Sequence, residues 1–223
     1  MMLDRRKIDY GLYLVTDRFL TGGRSLEEIV RKAAGGGVTI LQHREKNAGT
    51  REFLREAVAL KEAAAEFGIP FIINDRVDIA LACGADGVHL GQDDMPCTVA
   101  RGLVGQEMII GVSVSSPEEA LEAESEGADY LGVGPLFSTL TKTDTVPPIG
   151  IETLVRIRRT VRIPLIAIGG IKAENTAPVI QGGADGVAVV SAIISSPDPE
   201  IAAAELRSVV DMTRNSSRNV SRD

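Results

Sequence analysis

The feature that most constrains this chain is a recurrence of eight short apolar runs rich in β-branched residues, each entered from Gly, Pro or a polar turn. They are Leu12–Thr16, Val38–Gln42, Pro70–Asn74, Gly87–Leu90, Met108–Val112, Tyr130–Val133, Pro164–Ile168 and Val187–Val190. Their apolar character is continuous rather than alternating, so both faces of each strand must be covered, as in a parallel sheet. Between most of them lie helical stretches: Ser25–Ala34, Arg51–Phe67, Pro117–Glu126, Ile151–Thr160 and Glu174–Gln181. Ser25 with Glu28, and Ser116 with Pro117 and Glu119, read as capping boxes. The segments after the fourth and eighth runs are less regular.

A weak repeat supports the alternation. Gly84-Ala85-Asp86-Gly87, Gly127-Ala128-Asp129-Tyr130 and Gly183-Ala184-Asp185-Gly186 each stand between a helical stretch and a strand, with glycine ending the helix. Eight strand-helix units in 223 residues fit a single-domain α/β fold, a closed (β/α)8 TIM barrel, better than an open doubly wound sheet. The expected organisation is an N-terminal segment over residues 1–9, a barrel domain over 10–211 and a disordered, polar and aperiodic tail over 212–223.

Composition narrows the partners. The chain has 31 acidic and 24 basic residues, a formal charge of −7, which argues against nucleic acid and against a polybasic membrane binder. Cys83 and Cys97 have neither CxxC spacing nor a clustered His partner, so they read as buried reduced thiols. No run reaches the length of a membrane span, and the N-terminus lacks the apolar region of a secretion signal. A cytoplasmic location is expected, and oligomeric state is left open.

In such a barrel the active site is built where the strands end at their C-termini. The basic residues there, Arg44, Lys46, Arg76 and Lys142, gather on one rim of an acidic protein and suit an anionic ligand. Gly169-Gly170 and Val190-Ser191-Ala192 end the last two strands, the recurrent phosphate cradle of this fold, because glycine lets backbone N–H groups approach phosphate oxygens. Asp75 and Asp94 end adjacent strands and can face one another. Such hard oxygen donors suit Mg2+, though either could instead pair with a rim arginine such as Arg76. Asp93 points the other way. Residues 137–145 form a long hydroxyl-rich segment suited to a lid or binding loop. His89 lies inside an apolar run and reads as a packed residue rather than a base; His43 is expected to point away from the mouth.

Together these residues resemble a known family. Gln42-His43-Arg44-Glu45-Lys46, Asn74-Asp75-Arg76, His89-Leu90-Gly91-Gln92-Asp93-Asp94, Gly111-Val112-Ser113, Gly134-Pro135 with Thr139-Leu140-Thr141-Lys142, Gly169-Gly170-Ile171 and Val190-Ser191-Ala192 are similar, in order, to the motifs of thiamine-phosphate synthases. The resemblance runs from about Tyr10 to Ile194. It implies a barrel enzyme that couples a pyrimidine-methyl diphosphate to a thiazole phosphate, releasing pyrophosphate. It assigns Gln42, Arg44, Lys46, Asn74, Ser113 and Lys142 to the pyrimidine diphosphate, with Arg44, Lys46, Ser113 and Lys142 as the catalytic set. It assigns Asp75 and Asp94 to Mg2+, and Thr139, Thr141, Gly169, Val190 and Ser191 to the thiazole phosphate. His43 departs from the family pattern, which has an apolar or aromatic residue there.

The implied chemistry is a dissociative substitution. The aminopyrimidine stabilises a positive methylene carbon, and the attacking thiazole nitrogen carries no proton, so no general base is required. Three other readings compete: a barrel that isomerises a thiazole phosphate, which should lack the diphosphate and metal residues; a phosphosugar epimerase or isomerase, which would call for an acid–base pair at the mouth; and a non-catalytic phosphate-binding barrel.

Overall fold

The computed structural model describes residues 8–138 and 147–220. Eight parallel strands close into a barrel in chain order: β1 Leu12–Val15, β2 Ile40–His43, β3 Phe71–Asn74, β4 Gly87–Leu90, β5 Ile109–Val114, β6 Tyr130–Val133, β7 Leu165–Ile168 and β8 Gly186–Val189. Closure is direct, with β1 paired to β8 through Leu12–Val187 and Leu14–Val189. Every expected run holds a strand; β4 and β6 have the expected bounds, and the others differ at their ends by at most two residues.

The helices are α1 Leu26–Gly35, α2 Thr50–Ala65, α3 Val77–Cys83, α4 Cys97–Val104, α5 Pro117–Ser125, α6 Gly150–Thr160, α7 Ala173–Gln181, α8 Ser191–Ile194 and α9 Pro199–Val220. Ser25 caps α1 by accepting from Glu28 N, and Ser116 caps α5 by accepting from Glu119 N at 3.2 Å. Contrary to expectation, the boxes are not reciprocal. Glu119 turns to Ser115 N at 2.6 Å, and Glu28 pairs with Lys32 at 3.1 Å one turn on.

Alternation along the strands divides the interior into two cores. Leu12, Leu14, Leu41, Phe71, Ile73, Leu131 and Leu165 face outward and pack under the helices. Tyr13, Val15, Ile40, Ile72, Ile109, Tyr130, Ile166 and Ala188 face inward and fill the barrel, with Tyr10 and Ile8 at its base. The same parity sends Gln42, Asn74, His89 and Ser113 inward, toward the end where the strands stop.

The three Gly-Ala-Asp repeats lie at the opposite rim. Asp86, Asp129 and Asp185 each accept an N–H at the start of the preceding strand: Phe71 N at 2.8 Å, Ile110 N at 2.8 Å and Leu165 N at 2.9 Å. Beyond marking helix ends, the repeat therefore clamps neighbouring strands.

The expected disordered tail does not begin at residue 212, because α9 continues to Val220. Asp198 caps its start, accepting from Glu200 N and Ile201 N. Thr213 is buried, and Arg214 reaches Asp9 at 3.0 Å and the carbonyl of Asp185. A polar, aperiodic sequence is held helical here by its tether to the barrel base. Among the described residues no helix is long and apolar enough to cross a membrane.

Candidate active site

The strand ends bring most of the expected residues to one rim. Gln42, one residue before the end of β2, and Asn74, the last residue of β3, are buried, and Ser113 lies near the end of β5. Arg44, half-buried, follows β2 immediately, its backbone N–H donating to Thr16 Oγ1 at 3.0 Å. Lys46 reaches back to Asp75, with Nζ 2.6 Å from Oδ2.

Asp75 has φ 63°, the only positive value at a non-glycine among the described residues. Its N–H donates to the carbonyl of His89 at 2.8 Å, tying β3 to β4 at the turn. A side chain in this conformation is strained, and aspartate is one of the few residues that tolerates it. Burial and the neighbouring Asp94 carboxylate push the Asp75 carboxyl up from its ordinary value, with Lys46 opposing. Asp94 is held in place by accepting from Gly91 N at 2.7 Å. Two carboxylates crowded together and incompletely neutralised form an oxygen donor set that fits a hard cation. Among the described residues no group of three or more His, Cys, Asp or Glu converges as a metal site, so a cation here would take its remaining oxygens from phosphate and water, as Mg2+ commonly does.

Arg76 does not pair with either aspartate of this site. It bonds Asp78 at 2.6 and 2.8 Å and Thr50 at 3.1 Å, away from the carboxylate pair. Asp93 is exposed. Gly169 and Gly170 follow β7 with φ 100° and 64°. A Cβ at Gly169 would lie 2.6 Å from Pro135 Cα, and one at Gly170 would lie 2.6 Å from the carbonyl of Ser138. Glycine therefore serves both the turn and the close approach of the chain after β6. Val190 and Ser191 follow the adjacent strand β8, beside that turn. Thr139, Thr141 and Lys142 lie outside the described residues.

His43 ends β2 on its outer face, as expected, with its ring 5.0 Å from Phe53 in an edge contact. Its Nδ1 meets Thr16 Oγ1 at 3.0 Å, while Nε2 has no hydrogen-bond partner and lies 3.7 Å from Glu56 Oε2. Burial pushes its pKa down to about 4. Nearby, Arg18 gathers Glu45 at 2.7 Å, Glu52 at 3.1 Å and Glu56. Glu45 in turn accepts from Asn47 N and Ala48 N, shaping the loop that carries Lys46.

Two residues of the site do not stand out in the sequence. The Tyr13 and Tyr130 hydroxyls meet inside the barrel at 2.7 Å, and they connect Gln42 on one side to His89 and Ser113 on the other. Both read as members of apolar runs. The available signal is a tyrosine at an inward strand position, since a buried phenol requires a polar partner.

The geometry is a basic and acidic rim above a polar inner layer, with a glycine turn at the seventh strand. Known proteins resemble the chain over nearly its whole length. Residues 12–193 match the model of the thiamine monophosphate synthase family. The chain is 56% identical to the thiamine-phosphate synthase of Syntrophomonas wolfei over 201 residues, covering 90% of this chain and 96% of that protein. It is 50% identical to the thiamine-phosphate synthase of Chloroflexus aurantiacus over 207 residues, covering 93% and 95%. The solved structure of a thiamine phosphate pyrophosphorylase from Pyrococcus furiosus superposes with a TM-score of 0.85 at 45% identity, covering 92% of this chain and 98% of that one. On sequence, fold and length together, the chain belongs to the thiamine monophosphate synthase family.

Proposed function

We propose that the strand-end rim couples a pyrimidine-methyl diphosphate to a thiazole phosphate. The activity itself, thiamine phosphate synthesis by a transferase, is that of the family. The observation that carries the site assignment is the crowded pair Asp75 and Asp94 beside Lys46, at the end of the barrel where Gln42, Asn74 and Ser113 converge.

In this reading Gln42, Asn74 and Ser113 hold the pyrimidine, and Arg44 and Lys46 neutralise its diphosphate, with Lys142 contributing from the segment after β6. Asp75 and Asp94 hold Mg2+, which when bound supplies positive charge to the departing pyrophosphate. Lys46 is already engaged with Asp75, so it sits where both the cation site and the diphosphate oxygens would lie. Gly169, Val190 and Ser191, with Thr139 and Thr141, take the thiazole phosphate. Backbone N–H groups at a glycine turn suit that oxyanion.

Chain residues orient the two rings and stabilise charge on the leaving group, the two effects a dissociative substitution needs. Neither histidine is placed as a base. His43 is outside the barrel with a depressed pKa, and His89 is bonded within the inner layer. The thiazole nitrogen has no proton to lose, so their engagement elsewhere does not hinder the reaction. The thiazole isomerase reading is weakened by the presence of Lys46, Asp75 and Asp94. Cys83 and Cys97 are free buried thiols whose pKa burial raises, which supports a reducing compartment such as the cytoplasm.

Incubation with both phosphorylated halves, with and without Mg2+, tests the proposal. Thiamine phosphate and pyrophosphate should form in equal amounts only with the cation. A rate unaffected by chelation would remove Mg2+ from the account, and no product with Mg2+ present would remove the reaction.

A further inference from the structure

The barrel interior contains a continuous hydrogen-bonded chain running across its floor. Gln42 Nε2 donates to Tyr13 Oη at 2.9 Å, Tyr13 Oη meets Tyr130 Oη at 2.7 Å, Tyr130 Oη meets His89 Nδ1 at 2.9 Å, and His89 Nε2 meets Ser113 Oγ at 2.8 Å. Tyr13 and Tyr130 are each at most 2% exposed. Burial pushes both phenols above their ordinary pKa, so each keeps its one proton at every physiological pH. The floor is built around them: a Cβ at Gly111 would fall 2.1 Å from Tyr130 Cζ, and one at Gly132 would fall 2.9 Å from His89 Cε1.

With the Gln42 amide nitrogen facing Tyr13, proton counting gives this chain a direction. Tyr13 Oη accepts from Gln42, and its own proton finds an acceptor in Tyr130 Oη. The proton of Tyr130 then goes to His89 Nδ1. A neutral imidazole has one N–H, so it is at Nε2 and donates to Ser113 Oγ. The reverse order would need the Gln42 amide turned over, with its carbonyl oxygen toward Tyr13 and its NH2 toward the mouth; with the amide nitrogen facing Tyr13 it would leave that buried hydroxyl without an acceptor, at a cost of about 1–3 kcal/mol.

We infer that Tyr13 and Tyr130 are positioning residues that act through His89 to fix the hydrogen-bonding sense of both ends of this relay, so that Gln42 presents its carbonyl oxygen and Ser113 its hydroxyl proton to the mouth. The mouth then offers one acceptor and one donor. That pair is complementary to the edge of an aminoheterocycle, in which an amino N–H stands beside a bare ring nitrogen. This last step rests on the proposed pyrimidine site; the direction of the relay does not.

Two measurements test the inference separately. Histidine 15N NMR of the wild-type protein near pH 7.5, with His43→Gln used to tell the two rings apart, should show His89 neutral with the proton on Nε2. A proton on Nδ1, or a charged ring, overturns the relay whether or not the protein makes thiamine phosphate. Steady-state kinetics of Tyr130→Phe should then show KM for the pyrimidine diphosphate raised about tenfold, with KM for the thiazole phosphate within about twofold of wild type. Tyr13→Phe, which leaves the Tyr130 proton on its path to His89, should show a smaller rise. An equal effect on both substrates, or none on the pyrimidine, would overturn the positioning role.

Discussion

The two rims of the barrel use the same residue type in opposite ways. At the base, Asp86, Asp129 and Asp185 accept strand N–H groups, and Asp129 and Asp185 are also paired with Arg101 at 2.7 Å and Arg158 at 3.0 Å. Asp9 joins them: burial works against its charge, but bonds from Arg214 and Arg207 hold its carboxyl below the usual range. At the mouth, Asp75 and Asp94 crowd one another, and Asp75 is held at positive φ with its carboxyl pushed up. Carboxylates matched to backbone donors and arginines hold a fold closed. Carboxylates left short of positive charge are a place for something else to bind. The division agrees with the general pattern of this architecture, stability at one rim and chemistry at the other.

The difference can be broken from either side. Asp94→Ala should give the largest effect, lowering kcat/KM about a thousandfold, near 4 kcal/mol, while the thermal midpoint moves by only a few degrees. Asp129→Ala should do the opposite. It leaves Ile110 N without its acceptor and removes the carboxylate from Arg101, which keeps its bonds to the carbonyls of Gly105, Met108 and Gly127, so urea unfolding should show a loss of about 3 kcal/mol with kcat unchanged at 25 °C.

His43 stands at the mouth end of β2 but on its outer face, and its effect is visible only through pH. Its folded pKa of about 4 lies below the ordinary 6.5, so the unfolded chain takes up a proton before the folded one does. Its neutral burial is compatible with full stability above pH 6.5, and as pH falls toward 4 it destabilises by up to about 3 kcal/mol. His43→Leu should flatten urea-unfolding stability across that window, and an unchanged slope would contradict the assignment. Smallest of all, Ser25→Ala should cost about 1 kcal/mol through the lost α1 cap, read as a lowered thermal midpoint with no kinetic change.

Much of this architecture is legible in the sequence. Continuous apolar runs identify buried parallel strands, and residues directly after them must stand at one rim, which locates Gln42, Lys46, Asn74, Asp75 and Asp94 without contact information. What is not legible depends on tertiary partners. Tyr13 and Tyr130 look apolar in sequence because a strand pattern cannot say that two hydroxyls from opposite sides of a barrel will meet. Arg76 reads as a rim cation free for phosphate, but Asp78 two residues away captures it. Residues from 212 onward lack helical periodicity, and Arg214 nevertheless anchors that stretch to Asp9 across almost the whole length of the chain.

The claim that the mouth binds a cation with a diphosphate, and the base does not take part, is tested most directly by calorimetric titration of Mg2+ with pyrophosphate into wild type, Asp94→Ala and Asp129→Ala. Wild type and Asp129→Ala should bind with the same affinity, and Asp94→Ala should give no binding heat. Equal binding by Asp94→Ala and wild type, or loss of binding in folded Asp129→Ala, would contradict the division between the rims.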